Sequence, residues 1–224
     1  YGINCDALEK LKKFGTQLLI TVDNGITAVR EAERCKELGI DLVITDHHKP
    51  TEQLPEAAAV VDPHRKDCLG PFKDMAGVGV AFKLVCAMER TNEEMLELYS
   101  DLMAIGTIGD VVPLVGENRT IVKAGLEKLS QHDNPGIEAL RHAAGTGEGP
   151  LTAGQLAFQL VPRINAAGRL GSAAEAVNLL LTQEPEDAFG YAQQINETNR
   201  RRKDLEQAIL EDIEKKLQQK PTLL

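Results

Sequence analysis

The sequence predicts an α/β fold, a parallel sheet with flanking helices, followed by a mostly helical part that ends in a long connecting helix. Three observations carry this. Short apolar, β-branched runs at Leu18–Val22 and at residues 42–44 each stop abruptly near an acid, which is the pattern of strands in a parallel sheet rather than of a helical stripe. Between them, residues 26–38 place apolar side chains at helical spacing, so a strand, a helix and a strand follow in sequence and favour a right-handed crossover. From Arg119 onward such strand-like runs cease and helical spacing takes over.

The elements follow in order. Residues 6–14 set Leu8 and Leu11 at helical spacing among lysines, a surface helix feeding the first strand. That strand ends on Asp23, and Gly25 permits a tight turn. The next helix has Ala28, Val29, Ala32 and Cys35 as its inner face and stops at Gly39. The second strand runs into Asp46-His47-His48, and a third, at residues 57–61, ends at Asp62-Pro63-His64, where Asp62 and His64 shape a turn. Residues 66–73 form a loop.

Gly77 and Gly79 do not complete a G-x-G-x-x-G spacing, and no Lys-Ser/Thr follows them, so they mark a helix start packed closely on the sheet rather than a nucleotide loop. That helix continues through Val80, Leu84, Val85 and Met88. Another covers residues 92–104, with Met95, Leu96, Leu98, Leu102 and Met103 as its apolar face. The Gly-broken run 105–109 then ends at Asp110, which reads as a third acid-bearing strand edge. Helices are expected around Val122, Leu126 and Leu129, and around Ile137 and Leu140 after Pro135. Residues 144–150, rich in glycine, make the flexible break. Residues 152–160 are helical, Ser172 caps a helix through Leu181, and Pro185 opens the last helix, where Leu205, Ile209, Ile213 and Leu217 recur every four residues.

In open α/β sheets chemistry collects at the carboxyl ends of strands. Asp23, Asp46, His47, His48 and Asp110 are therefore the candidate catalytic residues. Carboxylates and imidazoles together suit Mn²⁺, Mg²⁺, Zn²⁺ or Fe²⁺, and several carboxylates in one place repel unless cations compensate them.

These residues carry a resemblance. Thr21-Val-Asp-Asn-Gly-Ile26, Asp46-His-His48 and Gly109-Asp-Val-Val-Pro-Leu114 are similar, in this order, to successive motifs of the DHH phosphoesterases. Pro162-Arg-Ile-Asn-Ala-Ala-Gly-Arg-Leu-Gly171 resembles a motif of the RecJ single-strand-specific exonucleases. The resemblance implies a DHH-type sheet and a two-metal site using Mn²⁺ or Mg²⁺, with Asp23, His47 and Asp110 as metal ligands and Asp46 orienting its neighbours. It also implies that His48, Arg163, Asn165 and Arg169 bind substrate phosphates, the arginines through planar bidentate bonds. A salt bridge between the helical part and the sheet is the alternative role for the arginines. The family's earlier motif, a strand ending in two aspartates one residue apart, has no counterpart here, so the chain is expected to be a fragment of the catalytic core, binding metal weakly and turning over little by itself.

The expected organisation is a metal-site domain over residues 1–116, a helical part with the Arg/Asn motif over 117–184, and a connecting helix over 185–224 leading to a second domain. The implied function is 5′-to-3′ exonuclease action on single-stranded DNA in repair and recombination. The alternatives are a phosphoesterase for short oligonucleotides or cyclic-dinucleotide products, and a replication scaffold that has lost its metals. Expected partners are single-stranded DNA and a single-strand-binding protein or helicase, with the chain a monomer.

Composition bounds these readings. A chain of 224 residues, 42% hydrophobic, can bury a sizeable core. Aromatic residues make up only 4%, with no Trp, which disfavours an extended base-stacking platform. The net charge of −9 means that a nucleic acid must be met by local cations rather than by the chain as a whole. Arg200-Arg-Arg-Lys203 reads as a solvated helix face before it reads as a backbone contact. The four cysteines show no C-x-x-C pairing, and Cys35 and Cys86 fall among apolar residues, which suits a reducing cytoplasm. No apolar run approaches the roughly 20 residues of a membrane span.

Overall fold

The computed structural model describes residues 2–219. It divides into two compact units, residues 1–125 and 126–224. The expected end of the third part at Leu224 lies outside the described residues.

The first unit holds a three-stranded sheet in the order β1-β2-β3, with β1 at Leu18–Val22, β2 at Asp41–Thr45 and β3 at Ala59–Val61. All pairings are parallel, with Val22 opposite Thr45 and Thr45 opposite Val61. Helix α1 (Cys5–Lys13) starts where Asn4 accepts the Ala7 N–H, and α2 (Val29–Leu38) ends at Gly39 in the left-handed conformation, with φ 62°. One core cluster joins these elements: Leu8, Ala32, Cys35, Ile40, Leu42 and Ile44. Helix α2 begins three residues later than its apolar spacing suggests, because residues 24–28 form the turn that brings Ile26 to the strand edge.

Strand β1 differs from a fully buried strand. Leu18, Ile20 and Val22 are about half exposed, since β1 is an edge strand with β2 on one side only among the described residues. Central β2 buries Leu42, Ile44 and Thr45.

Helices α3 (Gly77–Glu89), α4 (Glu93–Gly109) and α5 (Gly116–Leu129) complete the first unit and continue past it. Phe82, Cys86, Met95, Met103 and Ile121 form their shared cluster. Here the sequence expectation is corrected: residues 105–109 are not a strand but the last turn of α4. Met103, Ala104, Ile105, Thr107 and Ile108 are all buried, so the run is a helix packed on several sides, and its Gly-broken, β-branched composition imitates a strand. Leu98, expected on the inner face, is 55% exposed.

The second unit is helical: α6 (Pro135–Ala144), one turn of α7 (Ala153–Gln155), a wide π turn at Leu156–Leu160, α8 (Val161–Leu170), α9 (Ala173–Leu181) and α10 (Pro185–Gln219). Buried Arg141 pins the glycine-rich 144–150 segment by donating from Nη2 to the Gly147 and Gly149 carbonyls, at 2.9 and 2.6 Å. The start of α10 buries Ala188, Ala192, Ile195 and Asn199 and packs against α6, α8 and α9. Farther along, Leu205, Ile209 and Ile213 are about half exposed. Arg200 pairs with Glu197 and Arg202 with Glu206 along the same helix, as a solvated face does. No described helix is long and apolar enough to cross a membrane, and all four cysteines are free.

Candidate metal centre

The parallel ladder runs one rung past each strand and so aligns three acids. Asp23 N–H donates to the Thr45 carbonyl at 3.0 Å, and Asp46 N–H donates to the Val61 carbonyl at 3.0 Å. Asp23, Asp46 and Asp62 therefore stand side by side at the carboxyl edge of β1, β2 and β3. The three acid-bearing edges are these; Asp110 reaches the site from the C-terminal cap of α4 instead.

Asp46 is the mechanical centre. It is 1% exposed. Its Oδ2 accepts the Ile26 N–H at 2.9 Å, fixing the turn after β1. Its Oδ1 accepts the backbone N–H groups of His47 and His48, at 2.8 and 3.2 Å, and lies 2.7 Å from His48 Nδ1. Burial alone would raise its pKa, but the hydrogen bonds from Ile26, His48 and His47 outweigh it and hold the carboxyl below its ordinary value.

Asp23 and His47 behave differently. His47 Nε2 lies 3.0 Å from Asp23 Oδ1 and 3.4 Å from Asp110 Oδ2. Asp23 Oδ1 and His47 Nε2 are both buried, yet neither has an aligned hydrogen bond among the described residues. The Asp23 carboxylate, together with Asp110 and Asp46, raises the His47 pKa against the opposing effect of burial. Burial raises the Asp110 pKa, Asp23 adds to it, and His47 offsets part of it.

Backbone strain accompanies these positions. Asp23 has φ 63° and Val111, next to Asp110, has φ 61°, both in the left-handed region. For β-branched Val111 that conformation is costly, and such strain gathers at functional sites. Gly77 at the start of α3 is a positional requirement: a Cβ there would lie 2.2 Å from Asp23 Oδ1. The sequence marked Gly77 for close packing; only the fold shows that its neighbour is Asp23.

The donor set fits a divalent cation. Ligand atoms of Asp23, Asp46, His47 and His48 lie within 4.8 Å of one another, and the buried Asp23 Oδ1 and His47 Nε2 face each other at 3.0 Å without an aligned hydrogen bond. Asp46 already accepts from the backbone on both oxygens, whereas Asp23 Oδ1 and His47 Nε2 have no aligned hydrogen bond among the described residues.

Residues 3–107 match the DHH family, N-terminal domain. Those residues carry a DHH-family N-terminal domain. It is similar to the single-stranded-DNA-specific exonuclease RecJ of Bacillus subtilis, 45% identical over 203 residues, which cover 90% of this chain and 25% of that protein. It is also similar to the crystal structure of RecJ in complex with Mn²⁺ from Thermus thermophilus, with 36% identity and a TM-score of 0.80 over 94% of this chain and 32% of that one. A crystal structure of exonuclease RecJ bound to manganese gives 36% identity and a TM-score of 0.82 over 95% and 54%. The chain thus spans a minor part of the curated relatives, from 25% of the Bacillus subtilis protein to 38% of the Escherichia coli one.

The remaining expected site residues lie on α8, in the second unit. Arg163 donates from Nε to Asn196 Oδ1 at 2.9 Å and from Nη1 to the Gln159 carbonyl at 2.5 Å, and burial lowers its pKa. Asn165 and Arg169 are exposed.

Sequence reasoning did not single out Asp62 as anything beyond a turn residue. Its Oδ1 does shape the turn, accepting the His64 N–H at 2.7 Å, but Oδ2 is buried and has no partner among the described residues. Burial raises its pKa, with the His64 N–H opposing and Asp46 adding. The signal available in sequence was its place one residue after a strand, as with Asp23 and Asp46.

Proposed function

We propose that the chain carries the metal-site core of a nuclease that hydrolyses phosphodiester bonds of single-stranded DNA from the 5′ end, using Mn²⁺ or Mg²⁺. The observation that carries this reading is the buried, unmatched Asp23 Oδ1 and His47 Nε2 beside Asp110, set at a strand edge that Asp46 holds rigid. RecJ relatives of this activity, and RecJ structures described with Mn²⁺, support it.

Asp23, His47 and Asp110 hold the cations, neutral His47 presenting the Nε2 lone pair. Bound divalent cations supply Lewis-acid stabilisation of the phosphoryl oxygens and make a water nucleophilic near neutral pH. Asp46 orients His48 through Nδ1, which leaves His48 Nε2 to meet a phosphate oxygen. Arg169 and Asn165 bind backbone phosphates, and Arg163 contributes the N–H groups not already given to Asn196 and Gln159. Service in repair and recombination, and partnership with a single-strand-binding protein or helicase, follow from this reading. The three-part organisation into residues 1–116, 117–184 and 185–224 remains part of the proposal.

The test is digestion of 5′-labelled single-stranded DNA, duplex DNA and a dinucleotide in Mn²⁺ by the intact gene product and its Asp23→Ala variant. Processive loss of the single strand, abolished in the variant, is expected. Cleavage of the dinucleotide alone moves the protein to small substrates, and inactivity on all three overturns the enzymatic reading.

A further inference from the structure

The segment that follows Asp110 in the first unit carries apolar side chains outward. Val111 is 86% exposed, Leu114 39% and Val115 52%, and Pro113 is exposed between them. Single apolar residues on a surface need no explanation, whereas a contiguous exposed run does. The run is also held in place. Buried Asn118 donates from Nδ2 to the Pro113 carbonyl at 3.0 Å and to the Asp74 carbonyl at 2.6 Å, and the Arg119 N–H donates to the Val115 carbonyl at 3.3 Å.

Val111 departs furthest from what stability asks. Its φ of 61° puts a β-branched residue in the left-handed region, and its side chain meets solvent instead of a core. Asn or Gly would serve the fold better on both counts, since each accepts that backbone and neither exposes an apolar side chain. The valine side chain therefore contributes nothing to the first unit itself. It stands directly after Asp110, whose Oδ2 lies 3.4 Å from His47 Nε2, so it flanks the metal centre on the solvent side.

We propose, on the basis of the nuclease reading, that Val111, with Leu114 and Val115 in the same ridge, contacts the face of a nucleobase flanking the phosphate that reaches the metal centre. A base is flat and largely apolar on its faces and is joined to an anionic backbone. The ridge offers a surface for the first. For the second, Arg119, one turn past Val115 on α5, is exposed, and its guanidinium has no hydrogen bond or ion pair among the described residues. Contact with a face reads no base edge, so every base is accepted alike. The ridge thus positions the strand by its bases while the metal centre holds the phosphate.

The test removes the side chain and the base separately and together. Val111→Asn and Val111→Gly, both suited to the left-handed backbone, are made in the intact gene product. Their kcat/KM in Mn²⁺ is measured on a complete single strand and on strands lacking the base on one or the other side of the cleaved phosphate. Each substitution should lower kcat/KM about tenfold on the complete strand, the scale of burying one valine side chain, and less than about twofold once the contacted base is gone. Mn²⁺ affinity by calorimetry should stay at the wild-type value, and the melting temperature should hold or rise. Unchanged kcat/KM in both variants, or a loss that persists whichever base is removed, overturns the base contact and leaves the nuclease reading standing. Weaker Mn²⁺ affinity would assign Val111 to the placing of Asp110, and a lower melting temperature in both variants would mean that protein covers the ridge; either result overturns the proposal. No hydrolysis by the wild-type protein removes the nuclease reading and this contact with it.

Discussion

At the strand edge of the first unit, Asp23 Oδ1 and His47 Nε2 lie 3.0 Å apart, buried and without an aligned partner. On α8 of the second unit, Arg163 has instead given Nε to Asn196 and Nη1 to the Gln159 carbonyl. Leaving a buried polar atom unmatched costs roughly 1–3 kcal/mol, which a fold sustains where something outside the chain completes the set. The first region sets carboxylates and an imidazole against one another with few aligned partners; the second is substantially satisfied by its own helices. A polar residue is thus better read by what remains free on it than by its type. Asp46 teaches the same within the site: a carboxylate like Asp23, it already has both oxygens engaged by the backbone.

The contrast can be broken most forcefully at Asp23. Asp23→Ala should abolish measurable Mn²⁺ binding by calorimetry and lower single-strand hydrolysis by the intact gene product about a thousandfold or more, since metal stabilisation is worth several kcal/mol. Wild-type Mn²⁺ affinity in that variant would mean that the unmatched pair is not a metal site.

Gly77→Ala is expected to act on the same carboxylate from the other side. Its Cβ would fall 2.2 Å from Asp23 Oδ1, so the side chain or α3 must move. A loss of about 1–3 kcal/mol in thermal unfolding and a ten- to hundredfold weaker Mn²⁺ affinity should follow. Unchanged melting and affinity would show that Asp23 has room to move.

Titration sharpens the comparison within the site. His47 has a raised pKa, chiefly through Asp23. In the metal-free chain its contribution to stability should be fully present below the unfolded value of about 6.5 and be lost as pH rises through the higher folded value. Mn²⁺ affinity should run the other way and climb over that interval, because the ion needs the neutral imidazole. Asp46, with its lowered pKa, contributes stability above about pH 3.9 that is lost as pH falls through its lower folded value. Thermal melts of the metal-free chain and of His47→Gln from pH 5.5 to 8.5 check the first; a variant with an unchanged slope would assign the effect elsewhere.

The smallest effect is expected on α8. Arg163→Lys should weaken single-strand binding only a few-fold, with Mn²⁺ affinity unchanged, because part of the guanidinium is already engaged within the fold. A lysine there binds as a point charge and cannot copy the planar fork. An unchanged Michaelis constant would confine Arg163 to a structural role.

Much of the site was legible before folding. Strand period and terminal acids located Asp23 and Asp46, the histidines followed directly, and Gly39 and Pro185 marked helix boundaries, because each signal is carried by a few adjacent residues. The run before Asp110 was misleading for the same reason: five residues rich in glycine and isoleucine have no period long enough to separate a strand from the end of a buried helix.

What only the tertiary structure decided is which atoms are left over. Asp46 is satisfied by the N–H of Ile26, far back in the chain, Gly77 is pressed on Asp23, and Asp62 becomes the neighbour of Asp46 through the register of β2 and β3. The sequence by itself determined most of the elements and the candidate donor types, since propensity and side-chain chemistry are local. The partners of each oxygen come from segments that meet only once the sheet is paired, and those partners separate the carboxylates already engaged by the backbone from those that are not.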